Sequence, residues 1–443
     1  MSSKNESGIR ENAYTMLYEV LENGGFSNLV IRSGESDAFT SALFYGTIAR
    51  CHTIDFLLKH FAKTDIAKCD PETRTLLRMG AWQIFFSDKV PSFAAVSTTV
   101  ELCKKVHKSS ASYVNAILRK LADADYDGSS FKPEVQTSLK SEIFGILKKS
   151  YGKDRALDIG KALLERPDIT IRTNILKTTR DELKESLIKS GVTVRDAHFM
   201  KDALIIDGTN IETLREFKDG LFFVQNEAAQ LASIVAEPDK DISILDCCAA
   251  PGGKSTHLAE LTSDSAKITS LDINESRLEL IRENAVRLGL DNISVSSGDS
   301  TKAFEGTYDM VMCDVPCSGL GLMGRKPDIR LTISYDRIAE LLPKQKQILQ
   351  NAADAVRPGG KLIYCTCTLN RAENEERIEQ FLLDNPDFSP VDITDIVPEV
   401  LNDELRHEGL KRGMITLYPD IDGCDGFFVC RLERSTDGKK VLS

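Results

Sequence analysis

ISILDCCAAPGGKS (residues 242–255) decides the fold of this chain. An apolar, β-rich run ends at Asp246 and gives way to a loop with two adjacent glycines. Such glycines let a ligand approach the backbone closely. The loop is not a phosphate-binding Walker loop, because GGKS lacks the earlier glycine at the required spacing and Pro251 stiffens the turn. Nor is it a good GxGxxG; an ordinary glycine turn is the plain alternative. Working outward, KITSLDI (267–273), ISVSSGD (293–299), YDMVMCDV (308–315) and KLIYCTC (361–367) repeat the β-rich pattern. Helical periodicity lies between them at 275–288 and 336–356. This βαβ alternation predicts a parallel, doubly wound, Rossmann-like α/β domain over 231–443. Such sheets bind ligands beyond the carboxyl ends of their strands.

Those ends carry carboxylates. Asp272 closes the second run, 26 residues after Asp246, where an acid can accept from ribose hydroxyls. A helix-capping role is the alternative, since Asn274-Glu275 follows. Asp299 closes the third run, where it could accept from an adenine amino group, and Asp314 closes the fourth. Four acids around a glycine loop suit a cationic nucleoside better than a pyrophosphate, which prefers bare amides and positive charge. S-adenosylmethionine fits, and the expected cofactor-binding residues are Cys248, Ala249, Ala250, Pro251, Gly252, Gly253, Lys254, Asp272, Asp299 and Asp314.

The fourth and fifth runs also end near cysteines, in DVPCSG (314–319) and YCTCT (364–368). Tips of adjacent parallel strands can face one crevice. Cys367 lies nearer its tip than Cys365 and is the better candidate for reaching a substrate. A four-thiolate zinc site from Cys313, Cys317, Cys365 and Cys367 lacks CxxC spacing, and no metal is expected; plain burial of all four is the other alternative. Carbon 5 of a pyrimidine is a poor nucleophile until a thiolate adds to carbon 6. Cys367 suits that addition, Asp314 suits support of ring nitrogen 3, and Cys317 suits removal of the carbon 5 proton and release of the enzyme.

Ahead of this domain, residues 1–130 read as all-α. Ser41–Phe61 and Thr73–Phe86 show helical spacing, Pro91 can start a helix continued by Ser92–His107, and Ser110–Leu121 closes the unit. Lys104, Lys105, Lys108, Arg119 and Lys120 face only Glu101 across 101–120. That is either a solvated helix face or a surface for phosphates. A helical linker is expected over 131–165. A small α+β unit follows over 166–230, with strands at Ile169–Asn174, Val192–Arg195 and Ala203–Ile206 around a helix at Arg180–Ser190. The net charge of −11, taken alone, argues against a nucleic-acid binder, but the excess acid lies after residue 230. With 42% hydrophobic and 28% charged residues, the 443-residue chain is not mainly disordered. No apolar run is long enough to cross a bilayer. The polar start MSSKNESGIRENAY has no signal-peptide core, so a cytoplasmic protein without membrane partners is expected. Eleven cysteines, an odd number, are expected to be free thiols.

AAPGGKS (249–255), Asp272, Asp299, DVPCSG (314–319), RKPDIR (325–330), YCTCTLNRAENEE (364–376) and YPDIDGCDGFFVCRLER (418–434) together resemble the RNA cytosine-5 methyltransferases of the Nol/Nop/Sun family. The resemblance implies that Cys367 is the nucleophile and that Cys317 assists product release. DNA cytosine-5 methyltransferases attack from the Pro-Cys cysteine instead, so Cys367 points to RNA and away from DNA. SALFYGTIARCHTIDFLL, LLRMGAWQIFF and SYVNAILRKL are similar to the NusB-type helical RNA-binding fold. Residues 166–230 resemble the family's RNA-recognition-like subdomain. That combination is similar to the bacterial Sun/Fmu-type branch, which implies 5-methylcytosine formation in small-subunit ribosomal RNA; the sequence itself does not give an oligomeric state, and a monomer is the default expectation. Transfer RNA, or RNA binding without catalysis, are the alternative functions. A nicotinamide-dependent oxidoreductase would need a better GxGxxG. The chain departs from the family in having Pro419-Asp420 where Pro-His is common.

Overall fold

The architecture is taken from a computed structural model that describes residues 3–33, 37–207 and 210–436. The chain forms two compact units, Met1–Arg166 with Leu322–Ser334, and Pro167–Gly321 with Tyr335–Ser443.

Helices make up the first unit. Pro71–Phe86 shows how they start: Pro71 occupies the first turn, and the Asp70 carboxylate accepts from the Thr73 amide at 2.8 Å. Leu17, Leu43, Phe44, Leu76 and Leu118 are among the side chains that fill its core. The apolar spacing over Ser41–Phe61 runs on without interruption, yet the structure divides it into helices Ala38–Ala49 and Cys51–Ala62. The break falls at Arg50 (φ −104°, ψ 14°), whose guanidinium lies 4.7 Å from the Phe86 ring centre and 3.2 Å from Glu165. A tertiary contact makes the break, so no proline or glycine marks it. Lys104 and Lys105 of the basic stretch pair with Glu101 at 2.6 Å and Glu11 at 3.2 Å. The linker region holds helices Pro133–Gln136, Ser141–Tyr151 and Lys153–Ala162.

Leu322–Ser334 belongs to this first unit, although its flanks belong to the second. Arg330 secures it. Its buried guanidinium donates to the carbonyls of Thr137 (2.8 Å) and Leu163, which end two helices. Lys140 donates to the carbonyls of Leu331 (3.1 Å) and Ile333 (3.2 Å). Burial, with the nearby Arg50 charge, pushes the Arg330 pKa down to about 9.

The second unit holds two sheets. The smaller contains β1 (Ile169–Thr173), β2 (Thr193–Asp196), β3 (Ala203–Asp207) and β4 (Phe222–Val224), in the antiparallel order β2-β3-β1-β4. Three of these strands lie where alternation predicts them. The short β4, without alternation, was not foreseen and is set by its pairing with β1. The helix Arg180–Lys189 starts with a reciprocal capping box between Thr179 and Glu182.

The larger sheet contains β5 (Ser243–Asp246), β6 (Lys267–Asp272), β7 (Ile293–Ser297), β8 (Tyr308–Asp314), β9 (Val356–Thr366), β10 (Phe388–Pro390), β11 (Met414–Leu417) and β12 (Phe427–Arg434). Its order is β10-β12-β9-β8-β5-β6-β7, with β11 on β12. The run from β9 to β7 is parallel, as the alternation predicts; β10, β11 and β12 add antiparallel pairs.

Arg172 of β1 joins the two sheets. It is 1% exposed. Its guanidinium donates to both carboxylate oxygens of Glu260 (3.0 and 2.8 Å), to the Gly253 carbonyl (2.9 Å) and to Thr256 Oγ1 (3.2 Å). Gly253–Leu261 is the helix that leaves the glycine loop. Arg172→Ala leaves a buried carboxylate without its partner, which is expected to cost roughly 3–5 kcal/mol. Urea unfolding of the full chain checks this, and a change below about 1 kcal/mol would show that Glu260 relaxes to solvent.

Candidate active site

Backbone bonds from the strand ends shape the glycine loop. The Cys247 amide donates to Met312 (3.0 Å) and the Ala249 amide to Leu271 (2.9 Å), which carries the chain between its two neighbours. The Ala250-Pro251 peptide is cis. Gly252 has φ +98°, and a Cβ there would lie 3.2 Å from Ile281. A Cβ on Gly253 would lie 3.2 Å from the Phe223 ring. The loop therefore has to present bare backbone.

Asp272 is both a strand-end acid and a loop anchor. Its oxygens accept from the Ala250 and Asn274 amides, each at 3.0 Å. The helix cap itself is Asn274, whose side chain accepts from Ser276. Each carboxylate oxygen has two lone pairs, so Asp272 keeps acceptor capacity for a sugar hydroxyl. Asp299 accepts from the Thr301 hydroxyl (2.7 Å) and amide (3.0 Å), and these bonds hold its pKa below the usual carboxylate range. Asp246 is buried and accepts from Ser255 at 2.6 Å. Burial, aided by the Asp314 charge and opposed by Ser255 and Lys254, pushes its pKa up to about 6. Acceptors on successive strand ends beside a bare glycine backbone match the hydroxyl, amino and cationic groups of S-adenosylmethionine.

Lys254 reaches back across this loop. Its ammonium lies 2.6 Å from Asp314 Oδ2 and 5.2 Å from the Phe427 ring centre. Burial opposes its charge, but the facing Asp314 carboxylate and other nearby anionic groups outweigh burial and raise its pKa.

The two cysteines expected to act together do meet. Cys317 Sγ and Cys367 Sγ are 3.2 Å apart, both half-buried and both free thiols. β9 ends at Thr366, so Cys367 lies just beyond the strand, while Cys365 is fully buried within it, 3.6 Å from Asp314 Oδ1. The hydrogen bond between the sulfurs, then burial, keeps the proton on Cys317 well above the usual thiol range. Cys313 is buried on β8 opposite Tyr364. The four thiols of the rival metal reading do not form a ligand cluster.

One buried residue was missed by sequence reasoning. Glu373 is 0% exposed and sits behind both cysteines. It accepts from the Ser318 amide (2.8 Å), Ser318 Oγ (2.5 Å), Gln345 Nε2 (2.9 Å) and Asn370 Nδ2 (2.9 Å). It stands among three glutamates in YCTCTLNRAENEE, and nothing in the local pattern distinguishes the buried one.

Known proteins match every part of this layout. The family model for 16S rRNA methyltransferase RsmB/F matches residues 233–433. The NusB family matches 7–123, and the ferredoxin-like domain of RsmF/B-like methyltransferases matches 144–211. A probable ribosomal RNA small subunit methyltransferase B of Bacillus subtilis strain 168 is 33% identical, over 97% of this chain and 99% of its own. The chain belongs to the RsmB/F methyltransferase family. A relative from Synechocystis, also a probable ribosomal RNA small subunit methyltransferase B, is 33% identical over 90% of this chain and 91% of its own. The crystal structure of PH0851 is 27% identical, with a TM-score of 0.80 over 97% of this chain and 98% of that one. As a member of this family the protein is an S-adenosylmethionine-dependent methyltransferase with a NusB-like helical domain, a ferredoxin-like subdomain and a Rossmann-like methyltransferase domain.

The raised pKa of Asp246 has a measurable consequence. The folded protein holds this proton more tightly than the unfolded chain, whose carboxyl has the ordinary value of 3.8. The stabilising contribution is therefore full below 3.8 and is lost as pH rises through about 6. Asp246→Asn removes that slope. Urea unfolding of both proteins across this range should show the variant gaining on the wild type up to about pH 6, then running parallel. Parallel behaviour throughout would mean that Asp246 titrates normally.

Proposed function

We propose that this methyltransferase forms 5-methylcytosine in 16S ribosomal RNA through a covalent bond between Cys367 and carbon 6 of the target base. The 3.2 Å approach of Cys317 and Cys367 beside the Lys254–Asp314 pair carries the reading. One cysteine would serve for burial or a simple nucleophile; two in contact at a strand-end crevice suit a reaction that must both make and break a carbon–sulfur bond.

The cofactor is held by the 248–253 backbone and Lys254, with Asp272, Asp299 and Asp314 accepting from its donors. When bound, S-adenosylmethionine supplies the methyl group that carbon 5 takes up. The target cytosine leaves its stack to enter the crevice, which costs least in single-stranded or loop RNA. The Cys367 thiolate adds to carbon 6, and the electron pair of the carbon 5–carbon 6 double bond becomes available at carbon 5. Asp314, fixed by Lys254, steadies the ring at its nitrogen 3 edge. Once Cys367 sulfur is bonded to carbon, the largest of the influences that keep the proton on Cys317, its hydrogen bond with that sulfur, is weakened. Cys317 gives its proton to solvent and, as thiolate, takes the carbon 5 proton. The electron pair left behind restores the double bond, the carbon–sulfur bond breaks and Cys367 departs as thiolate. The protein works as a cytoplasmic monomer on RNA; no helix among the described residues is long and apolar enough to cross a membrane.

Methyl transfer from labelled S-adenosylmethionine to total RNA of cells lacking this protein tests the reading. Label is expected in 5-methylcytosine of 16S ribosomal RNA, and label in transfer RNA would overturn the substrate. Cys367→Ala should abolish transfer while leaving S-adenosylhomocysteine binding within about twofold, since the thiol contributes to the reacting base rather than to cofactor binding. Retained transfer would remove Cys367 as nucleophile. Cys317→Ala should leave enzyme joined to RNA as a slow band on a denaturing gel, and absence of the band would remove Cys317 from the release step.

A further inference from the structure

Glu373 sits where an acceptor-only group is needed. The four donors on its side chain are all neutral: an amide N–H, a hydroxyl and two carboxamide N–H groups. A glutamine would turn its own NH2 toward part of that set, whereas an ionised carboxylate satisfies all four. A buried charge is tolerated when hydrogen bonds surround it. Three of those donors, from two residues, lie around Cys317. Ser318 follows it directly, and Gln345 Nε2 also donates to the carbonyl of Pro316, which precedes it, at 3.0 Å. Ser318 Oγ is 2.6 Å from Thr368 Oγ1, so the residues after the two cysteines are bonded to each other within the same network.

The two cysteines depend on this network unequally. Cys367 follows a strand paired on both sides, by β8 and β12. Asn374 Nδ2 holds the next carbonyl, that of Thr368, at 2.9 Å, and the Gly321 amide holds the Cys367 carbonyl at 3.1 Å. Cys317 lies in a loop, between two residues that Glu373 secures, one directly and one through Gln345.

We propose that Glu373 is a positioning residue that holds Cys317 against Cys367 and so serves release of the methylated base more than its capture. This rests on the roles given above to the two cysteines. The test compares wild type, Cys317→Ala, Glu373→Gln and Ser318→Ala under single-turnover conditions with 16S ribosomal RNA. It reads S-adenosylhomocysteine affinity, free methylated RNA and the denaturation-resistant enzyme–RNA band. Glu373→Gln is expected to bind S-adenosylhomocysteine within about threefold of wild type and to release product at least about tenfold more slowly, the scale of a lost hydrogen bond to a charged group. The covalent band should accumulate with it, as with Cys317→Ala, and Ser318→Ala should move the same way by less. A purely structural role would lower capture and release together, without a band. If Glu373→Gln does not fold, Ser318→Ala carries the same comparison. A band with Cys317→Ala but with neither other variant overturns the inference alone. No band with any variant overturns the Cys317 assignment and the inference with it.

Discussion

The β8–β9 ladder sets Asp314 opposite Cys365, and the arrangement of the reactive groups follows from that register. Beyond this pair both chains leave the sheet on the same side. The Pro-Cys loop and the Thr-Cys loop therefore emerge as neighbours, and their sulfurs come within 3.2 Å. On the other flank β8 pairs with β5, which brings the glycine loop beside Asp314 and lets Lys254 reach it. A one-residue slip of β9 would turn its side chains to the opposite faces. Cys365 would leave the neighbourhood of Asp314, and Cys367 would be drawn away from Cys317. Catalytic geometry in this protein is first of all a matter of strand register.

Charges around that register are divided by strand. Lys254 and Asp314 neutralise each other at the centre. Asp272 and Asp299 lie outward along the sheet, each bonded to nearby backbone amides, and for Asp299 those bonds, with the Thr301 hydroxyl, favour the ionised form. Asp246, deeper and fully buried, is the one acid pushed toward neutrality. The crevice thus keeps its acceptors at the mouth, where a cationic nucleoside would meet them.

Much of this was legible before the fold was known, because the informative residues lie where regular structure ends. The β-rich runs located β5 to β9, and their terminal acids and cysteines followed from the parallel arrangement. What escaped the pattern was set by contacts distant in sequence. Arg50 interrupts a continuous apolar stripe through Phe86 and Glu165. β4 exists because β1 offers it an edge. RKPDIR reads as part of the methyltransferase region, yet Arg330 finds its partners on the carbonyls of Thr137 and Leu163. Glu373 resembles its neighbours Glu375 and Glu376 until Ser318 and Gln345 are brought to it.

Arg330 and Glu373 also share a physical logic that distinguishes them from Arg172. Arg172 faces a carboxylate as well as the Gly253 carbonyl and the Thr256 hydroxyl, and only the ion-pair part of that set could in principle be exchanged for a well-packed apolar pair. Arg330 and Glu373 instead gather neutral dipoles, carbonyls around the cation and N–H or O–H groups around the anion. No single apolar replacement satisfies several backbone and side-chain dipoles at once, because each would remain buried without a partner. A charge used in this way fixes the relative positions of the segments that surround it. Arg330 fixes the segment Leu322–Ser334 within the first unit. Glu373 fixes the residues on either side of Cys317, and under the proposed mechanism a displacement on the order of an ångström would decide whether that thiol reaches the carbon 5 proton.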